Sequence, residues 1–452
     1  MKEILLFGAG KSATVLVDYL LATAEIENWH LTIVDADILA AQSKIGNSSF
    51  GNVISFDIHH ERQRNKIIQE ADIVISLLPP ALHFLVAQDC VLFSKNLLTA
   101  SYVDDKIRSL QPEIENKNLL FLCEMGLDPG IDHMSAMKIL DEIRDKGGRV
   151  HSFKSHCGGL IDPQSDNNPW HYKITWNPRN IVLAGKAGAI FKQAGKKVKI
   201  AYDKIFENCG EVLIGDLPIL AYYPNRDSIG YASLYGLKDA STFIRTTLRY
   251  ASFCRGWNVI RHLGLTETDD KETIKGYNTI SEWLHQKLRG IELRSMTWLE
   301  YLKIYVDVKW HTELTEQIDF LDLFEEKSIP PHAECSADIL QYLLESRLLL
   351  NQEDRDMIVM LHEIEYEANG ERFYIDSSLV VKGEDHLRTA MAKTVGLPLG
   401  IAVKLILKNE IMIRGLHIPV VKEIYLPVLA ELESQGISFK EKIKIQPIQN
   451  DC

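Results

Sequence analysis

Ile4-Leu5-Leu6-Phe7-Gly8-Ala9-Gly10-Lys11-Ser12-Ala13 decides the fold of this 452-residue chain. A short apolar run stops at Gly8, and small residues recur as G-x-G-x-x-A ahead of a helical pattern over Thr14–Ala22. Gly8 permits a tight turn, Gly10 leaves room for a pyrophosphate against the backbone, and Ala13 lets helix and strand approach. Ala9, Lys11 and Ser12 complete the loop. The helix start beyond it offers free N–H groups and a positive dipole end to phosphate. Small residues can occupy such a turn for packing alone. Here a strand precedes, a helix follows, and an acid, Asp35, ends the second strand (Ile33-Val34-Asp35-Ala36-Asp37). Together these predict a dinucleotide-binding unit.

A carboxylate at Asp35 can accept both hydroxyls of an adenosine ribose and repel a 2′-phosphate. No Arg or Lys follows before Lys44, so nothing near the turn would welcome NADP. The cofactor expected from these residues is NAD. Either Asp35 or Asp37 could cap the helix starting near Ile38, and Asp37 fits that role better.

Further out, strand-like runs at Ile4–Phe7, Leu31–Val34, Asn52–Phe56, Ile73–Leu78, Asn96–Ala100 and Leu119–Cys123 alternate with helical patterns such as Ala81–Phe93. Pro79-Pro80 stops the fourth strand and opens a helix. This is the signature of an α/β doubly wound parallel sheet, a Rossmann fold. The character changes near Gly147-Gly148, where Arg149–Cys157 reads as a strand opening a second α/β region. The stretch from about 238 to 350 is helical and charged. Met357–Glu367 alternates as a half-exposed strand, and Asn369-Gly370 is a natural hairpin turn. Ala390–Leu407 reads as two helices with a break at Gly396–Gly400.

A net charge of −12, with both signs mixed along the chain, argues against nucleic acid as a partner. Neither the N-terminal run nor any later apolar stretch reaches membrane-spanning length, so the expectation is a cytoplasmic protein with no membrane. The seven cysteines (Cys90, Cys123, Cys157, Cys209, Cys254, Cys335, Cys452) contain no C-x-x-C pair, which excludes a disulfide framework and a zinc ribbon, and no metal is expected.

Several polar segments escape hydrophobic patterning: Ser101-Tyr102, Glu124-Met125-Gly126-Leu127-Asp128-Pro129-Gly130-Ile131-Asp132-His133, Cys157-Gly158-Gly159-Leu160, Tyr223-Pro224-Asn225-Arg226-Asp227-Ser228 and Thr247-Leu248-Arg249-Tyr250. With Ser76-Leu77-Leu78-Pro79 and the late A-M-A-K-x-V-G-x-P (Ala390–Pro398), they closely resemble saccharopine dehydrogenases of the L-glutamate-forming type. The likeness runs over nearly the whole chain. It implies a Rossmann domain over 1–130 completed by about 386–452. It also implies an α/β substrate and dimerisation domain (about 131–240 and 351–385) and a small helical domain (about 241–350). A homodimer oxidising saccharopine to aminoadipate semialdehyde and glutamate in lysine metabolism follows from the same resemblance. Fungal members that use NADP are expected to carry a basic residue where Asp35 stands.

By resemblance, Ser101, Tyr102, Asp128, Arg226 and Thr247, Leu248 and Arg249 contact substrate. Leu78, Pro79, Ser101, Leu127, Asp128 and Trp176 join the glycine turn and Asp35 around the cofactor. The chemistry is sensible on its own terms. Saccharopine carries three carboxylates and two amines, and two arginines can each grip a carboxylate bidentately. Each could instead be a solvated surface residue, Arg226 paired with Asp227. The amine must lose a proton before hydride leaves the neighbouring carbon, so a general acid–base is required. Asp128, Tyr102, Cys157, His133 and His156 are the candidates. His156 and Cys157 alternate on a strand, so one of them should face the cleft. The rival readings are a carboxynorspermidine-type dehydrogenase and a non-catalytic NAD-binding or sensing protein.

Overall fold

The protein is described from a computed structural model over residues 1–290 and 298–447. It divides into two compact units: Met1–Phe153 with Ser233–Asp239 and Met360–Cys452, and Lys154–Ala232 with Ala240–Val359.

The first unit is built on a parallel sheet. Its strands are β1 (Glu3–Phe7), β2 (His30–Val34), β3 (Gly51–Ile54), β4 (Ile73–Ser76), β5 (Asn96–Thr99), β6 (Leu120–Leu122) and the late strand Gly415–His417. Their order is Gly415–His417, β6, β5, β4, β1, β2, β3, with every neighbour parallel. Helices cover both faces of such a sheet, which is why β1 and β4 are apolar runs rather than alternations. Ile4, Leu5, Leu6 and Phe7 are all essentially fully buried. The order reverses between β1 and β4, the switch point where open α/β sheets take ligands beyond the strand ends. Phe7 pairs there with Ser76, and Leu77 donates its N–H to the Phe7 carbonyl (2.8 Å). The doubly wound sheet read from the sequence is the one observed.

Ala390–Leu407 is a single helix, and the expected break at Gly396–Gly400 does not occur. The glycines serve packing. A Cβ on Gly396 would lie 2.8 Å from the Leu16 backbone nitrogen, and one on Gly400 2.6 Å from the Tyr19 ring. The helix therefore lies close against the glycine-turn helix Thr14–Glu27, and Pro398 is carried inside it. It also corrects the reading that no stretch reaches spanning length. At 18 residues it is long and apolar enough to cross a bilayer, but most of its surface is buried inside the fold.

Further strands of the first unit include the hairpin Asp356–Ala368 and Glu371–Lys382, whose first residues belong to the second unit. Its turn takes Asn369 and Gly370 at positive φ (53° and 78°), as expected. Lys440–Pro447 pairs antiparallel with the second strand of that hairpin.

In the second unit, Gly210–Val212, Leu220–Pro224 and Thr242–Arg249 form consecutive antiparallel neighbours, followed by the later part of Arg149–Ile161. The helices between Ala251 and Arg347 share one apolar cluster with these strands, centred on Trp170, Tyr172, Phe253 and Trp257. The rings of Phe253 and Trp257 stack at 5.1 Å. Six cysteines are free thiols; Cys452 lies outside the described residues.

Candidate active site

The glycine turn forms as the sequence requires. Gly8 has φ +100°, and a Cβ there would lie 2.9 Å from the Leu77 carbonyl oxygen, so only glycine fits. Gly10 is different. It has ordinary extended backbone (φ −63°, ψ −176°) and open space around the position of a Cβ. Lys11, Ser12 and Ala13 form one 3-10 turn that leads into the helix Thr14–Glu27, so the positive end of the helix dipole meets the open space beside Gly10. The residues present fit a pyrophosphate.

Asp35 does something the sequence did not suggest. Its two oxygens accept from Ala9 N (2.6 Å) and Asp37 N (2.8 Å), tying the end of β2 to the glycine turn. Asp37 caps the next helix by accepting from Leu39 N and Ala40 N (3.0 Å each), as expected. Lys44 reaches back from that helix, its Nζ donating to Thr14 Oγ1 (2.7 Å). Burial lowers the Lys44 pKa, while Asp18 and Asp35 pull it upward. A cation therefore lies on the first residue of the helix that follows the glycine turn.

At the ends of β4 and β5, Ser76 Oγ bonds His83 Nδ1 (2.8 Å) and His83 Nε2 bonds Ser101 Oγ (2.7 Å). Sequence reasoning passed over His83, although its place in the first turn after Pro79-Pro80 was a usable signal. Leu78 is half-buried there and Pro79 exposed. Tyr102 donates its hydroxyl to Asp128 Oδ1 (3.3 Å), which joins two predicted site residues. Below them, Glu124 is buried. It accepts from Val103 N (3.1 Å) with one oxygen and bonds His133 Nε2 (2.8 Å) with the other. His133 Nδ1 continues to the Tyr235 hydroxyl (2.5 Å), so His133 is packed inside this chain of bonds. Leu127 is buried beside it, and Asp132 accepts from Gly130 N (2.6 Å), closing the Asp128–Gly130 turn.

Within the second unit, Arg249 is 7 % exposed. Its Nη1 donates to the carbonyls of Leu248 (2.8 Å) and Gly159 (3.4 Å), and its guanidinium lies over the rings of Tyr172 and Phe253 (5.3 and 5.5 Å). Its Nε is buried without a hydrogen-bond partner, and no carboxylate among the described residues forms an ion pair with it. The antiparallel register sets Thr247 opposite Tyr223, and their side chains hydrogen-bond. Leu248 is fully buried, and Trp176 bonds Tyr172. Arg226 is exposed, at φ +51°, on a two-residue strand beside Ala189. His156 and Cys157 are both buried, and His156 Nδ1 bonds Thr246 Oγ1 (2.7 Å).

Known proteins bear on this arrangement directly. Residues 4–122 match the model of the saccharopine dehydrogenase NADP binding domain, and residues 126–437 that of the saccharopine dehydrogenase C-terminal domain. The chain belongs to the saccharopine dehydrogenase family. It is 32 % identical to the saccharopine dehydrogenase [NADP(+), L-glutamate-forming] of Saccharomyces cerevisiae, covering 98 % of this chain and 99 % of that one. The apo, histidine-tagged saccharopine dehydrogenase (L-Glu forming) from Saccharomyces cerevisiae superposes with a TM-score of 0.88 at 31 % identity, covering 98 % of this chain and all of the other. The alpha-aminoadipic semialdehyde synthase of Arabidopsis thaliana is 31 % identical over 97 % of this chain. This chain spans only 44 % of that protein, and 48 % of its mitochondrial counterpart from Bos taurus.

These findings overturn the expectation of NAD. The family model over the first unit is an NADP-binding one, and the relatives from Saccharomyces cerevisiae and Schizosaccharomyces pombe are named for NADP(+). The physical premises fail at the same place. Asp35 holds two backbone amides with its two oxygens, and Lys44, set aside for its distance in sequence, reaches Thr14 at the start of the helix after the turn.

Proposed function

We propose that this chain oxidises saccharopine at its secondary amine, using NADP+, and releases glutamate and α-aminoadipic semialdehyde. The reading rests on family membership and on the names of relatives matched over almost their whole length. One observation carries it on the side of the site: the buried Arg249 guanidinium whose Nε has no acceptor. A buried cation without an anion costs several kcal/mol, so its partner comes from the ligand. A substrate with three carboxylates supplies one.

When bound, the nicotinamide supplies the hydride acceptor. The protein's part is to bind, orient and move protons. Arg249 takes a carboxylate between the walls formed by Tyr172 and Phe253. Tyr102, donating to Asp128, orients the carboxylate that is to meet an ammonium or take the proton that the amine must lose. Water then adds to the oxidised carbon–nitrogen bond, and its collapse frees the amino group of glutamate and leaves the aldehyde. Holding donor and acceptor together removes much of the entropic barrier.

The test is the rate of reduced-cofactor formation from saccharopine and NADP+. Arg249→Met should raise the saccharopine KM roughly 10- to 100-fold, the worth of a hydrogen bond to a charged group, with the NADP+ KM little changed. A saccharopine KM equal to that of the parent enzyme would remove the basis of the assignment.

A further inference from the structure

We propose that His83 is a positioning residue that makes the Ser101 hydroxyl a fixed hydrogen-bond donor toward bound ligand. The inference deepens the reading above, since it rests on Ser101 as a ligand contact.

The argument starts with Ser76. This serine ends β4 at 0 % exposure, and among the described residues its hydroxyl has a single partner, His83 Nδ1 at 2.8 Å. A buried hydroxyl must place its proton on an acceptor, because leaving it unpaired costs about 1–3 kcal/mol. The acceptor within reach is the imidazole nitrogen, so Nδ1 carries no proton. A neutral ring then carries its proton on Nε2. Burial keeps the ring neutral, pushing its pKa from 6.5 to about 4 against the opposing pull of Asp104.

Nε2 faces Ser101 Oγ at 2.7 Å. With Nε2–H as donor, Ser101 accepts from the ring, and its own proton must point elsewhere. Ser101 is half-buried just past the end of β5, and its backbone N–H is already given to Thr99 Oγ1. The direction left for its hydroxyl proton is outward, past the strand ends, where the fold places ligand. An uncommitted serine rotor could donate or accept. This one is held as a donor, suited to a carboxylate or carbonyl oxygen. The relay ends blindly at Ser76, inside the sheet, so it orients a proton and does not carry one to solvent. His83 touches neither substrate nor cofactor in this scheme and acts through Ser101.

The decisive readout is the ring itself. In the intact enzyme at neutral pH, nitrogen-15 NMR of labelled histidine should give the Nε2–H tautomer for the resonance lost in His83→Asn. A ring protonated on Nδ1, or on both nitrogens, at neutral pH overturns the proposal. Ser76→Ala removes the group that fixes the tautomer without approaching the ligand. It should yield a mixed tautomer signal and a fall of about three- to tenfold in kcat/KM for saccharopine. His83→Asn and Ser101→Ala should each cost about tenfold, and together no more than either alone. Additive losses, or a Ser76→Ala enzyme with parental kinetics and tautomer, refute the relay while saccharopine turnover stands. An enzyme that fails to turn over saccharopine refutes the proposed function, and the nitrogen-15 spectrum still decides the relay.

Discussion

The two glycines of the opening turn should separate folding from cofactor binding when each is changed to alanine. Gly8 has φ +100°, and a methyl there would meet the Leu77 carbonyl at 2.9 Å. A non-glycine residue in such a backbone costs about 1–3 kcal/mol. At roughly 2–4 °C per kcal/mol for a unit of this size, Gly8→Ala should lower Tm by about 2–12 °C. Gly10 lies at φ −63°, and nothing stands within 4 Å of where an alanine methyl would sit, so Gly10→Ala should fold as well as the parent. Reduced freedom of the unfolded chain even favours it by a few tenths of a kcal/mol. The methyl would occupy the space assigned to the pyrophosphate. NADP+ at a hundred times its Kd stabilises the parent by about 2.7 kcal/mol, a rise of roughly 5–11 °C. The assay is thermal unfolding with and without NADP+. Gly10→Ala should keep the ligand-free Tm within about 2 °C and lose most of the rise. A Gly10→Ala protein that retains the full rise would show that the dinucleotide does not lie on this turn.

Three further outcomes follow from the same geometry. Lys44→Met should raise the NADP+ KM roughly tenfold while saccharopine KM moves little, because the lost cation lies on the first residue of the helix that follows the glycine turn; equal KM values for the two proteins would remove Lys44 from the site. Glu124→Leu should destabilise the first unit by about 2–4 kcal/mol in urea unfolding, since Val103 N–H and a His133 ring nitrogen both lose their partner; an unchanged midpoint would refute that accounting. Acid should destabilise the protein through His83. Its folded pKa of about 4 lies below the ordinary 6.5, so between these values the unfolded chain binds a proton that the folded one refuses. Stability from this group is complete above pH 6.5 and falls as pH drops toward 4, by on the order of 3 kcal/mol. His83→Asn should flatten that part of the pH–stability curve, and an equally steep curve counts against the buried neutral ring.

The sheet was legible because its strands are buried on both faces. Ile4–Phe7 and Ile73–Ile75 are continuous apolar runs inside their strands. The helix Ala390–Leu407 was misread for the opposite reason. Gly396, Pro398 and Gly400 are local breakers, and their effect on an isolated helix is real. Contact with Leu16 and Tyr19, about 380 residues away in the chain, outweighs it. The site shows the same division. The residue type of Arg249 made it a candidate for holding a carboxylate, but its burial beside Tyr172 and Phe253 needed three separate segments to meet. His83 joins serines 7 and 18 residues away along the chain only because parallel strands end side by side. No window of sequence contains that arrangement.

Asp35 sharpens the lesson, because the residue was found and its place was right. The rule that an acid at the end of the second strand receives a ribose assumes a carboxylate with both oxygens turned to the ligand. Asp35 instead bonds Ala9 N and Asp37 N, one oxygen each, and so serves the shape of the turn itself. Part of its charge is met by those amides and by the nearby Lys44 ammonium. A carboxylate so held repels a neighbouring phosphate less than a free one does. Lys44 lies nine residues beyond Asp35 in the chain, yet it reaches Thr14 and adds a cation near that acid. The identity of the acid at the end of the second strand is therefore not enough, alone, to read the cofactor from this sequence.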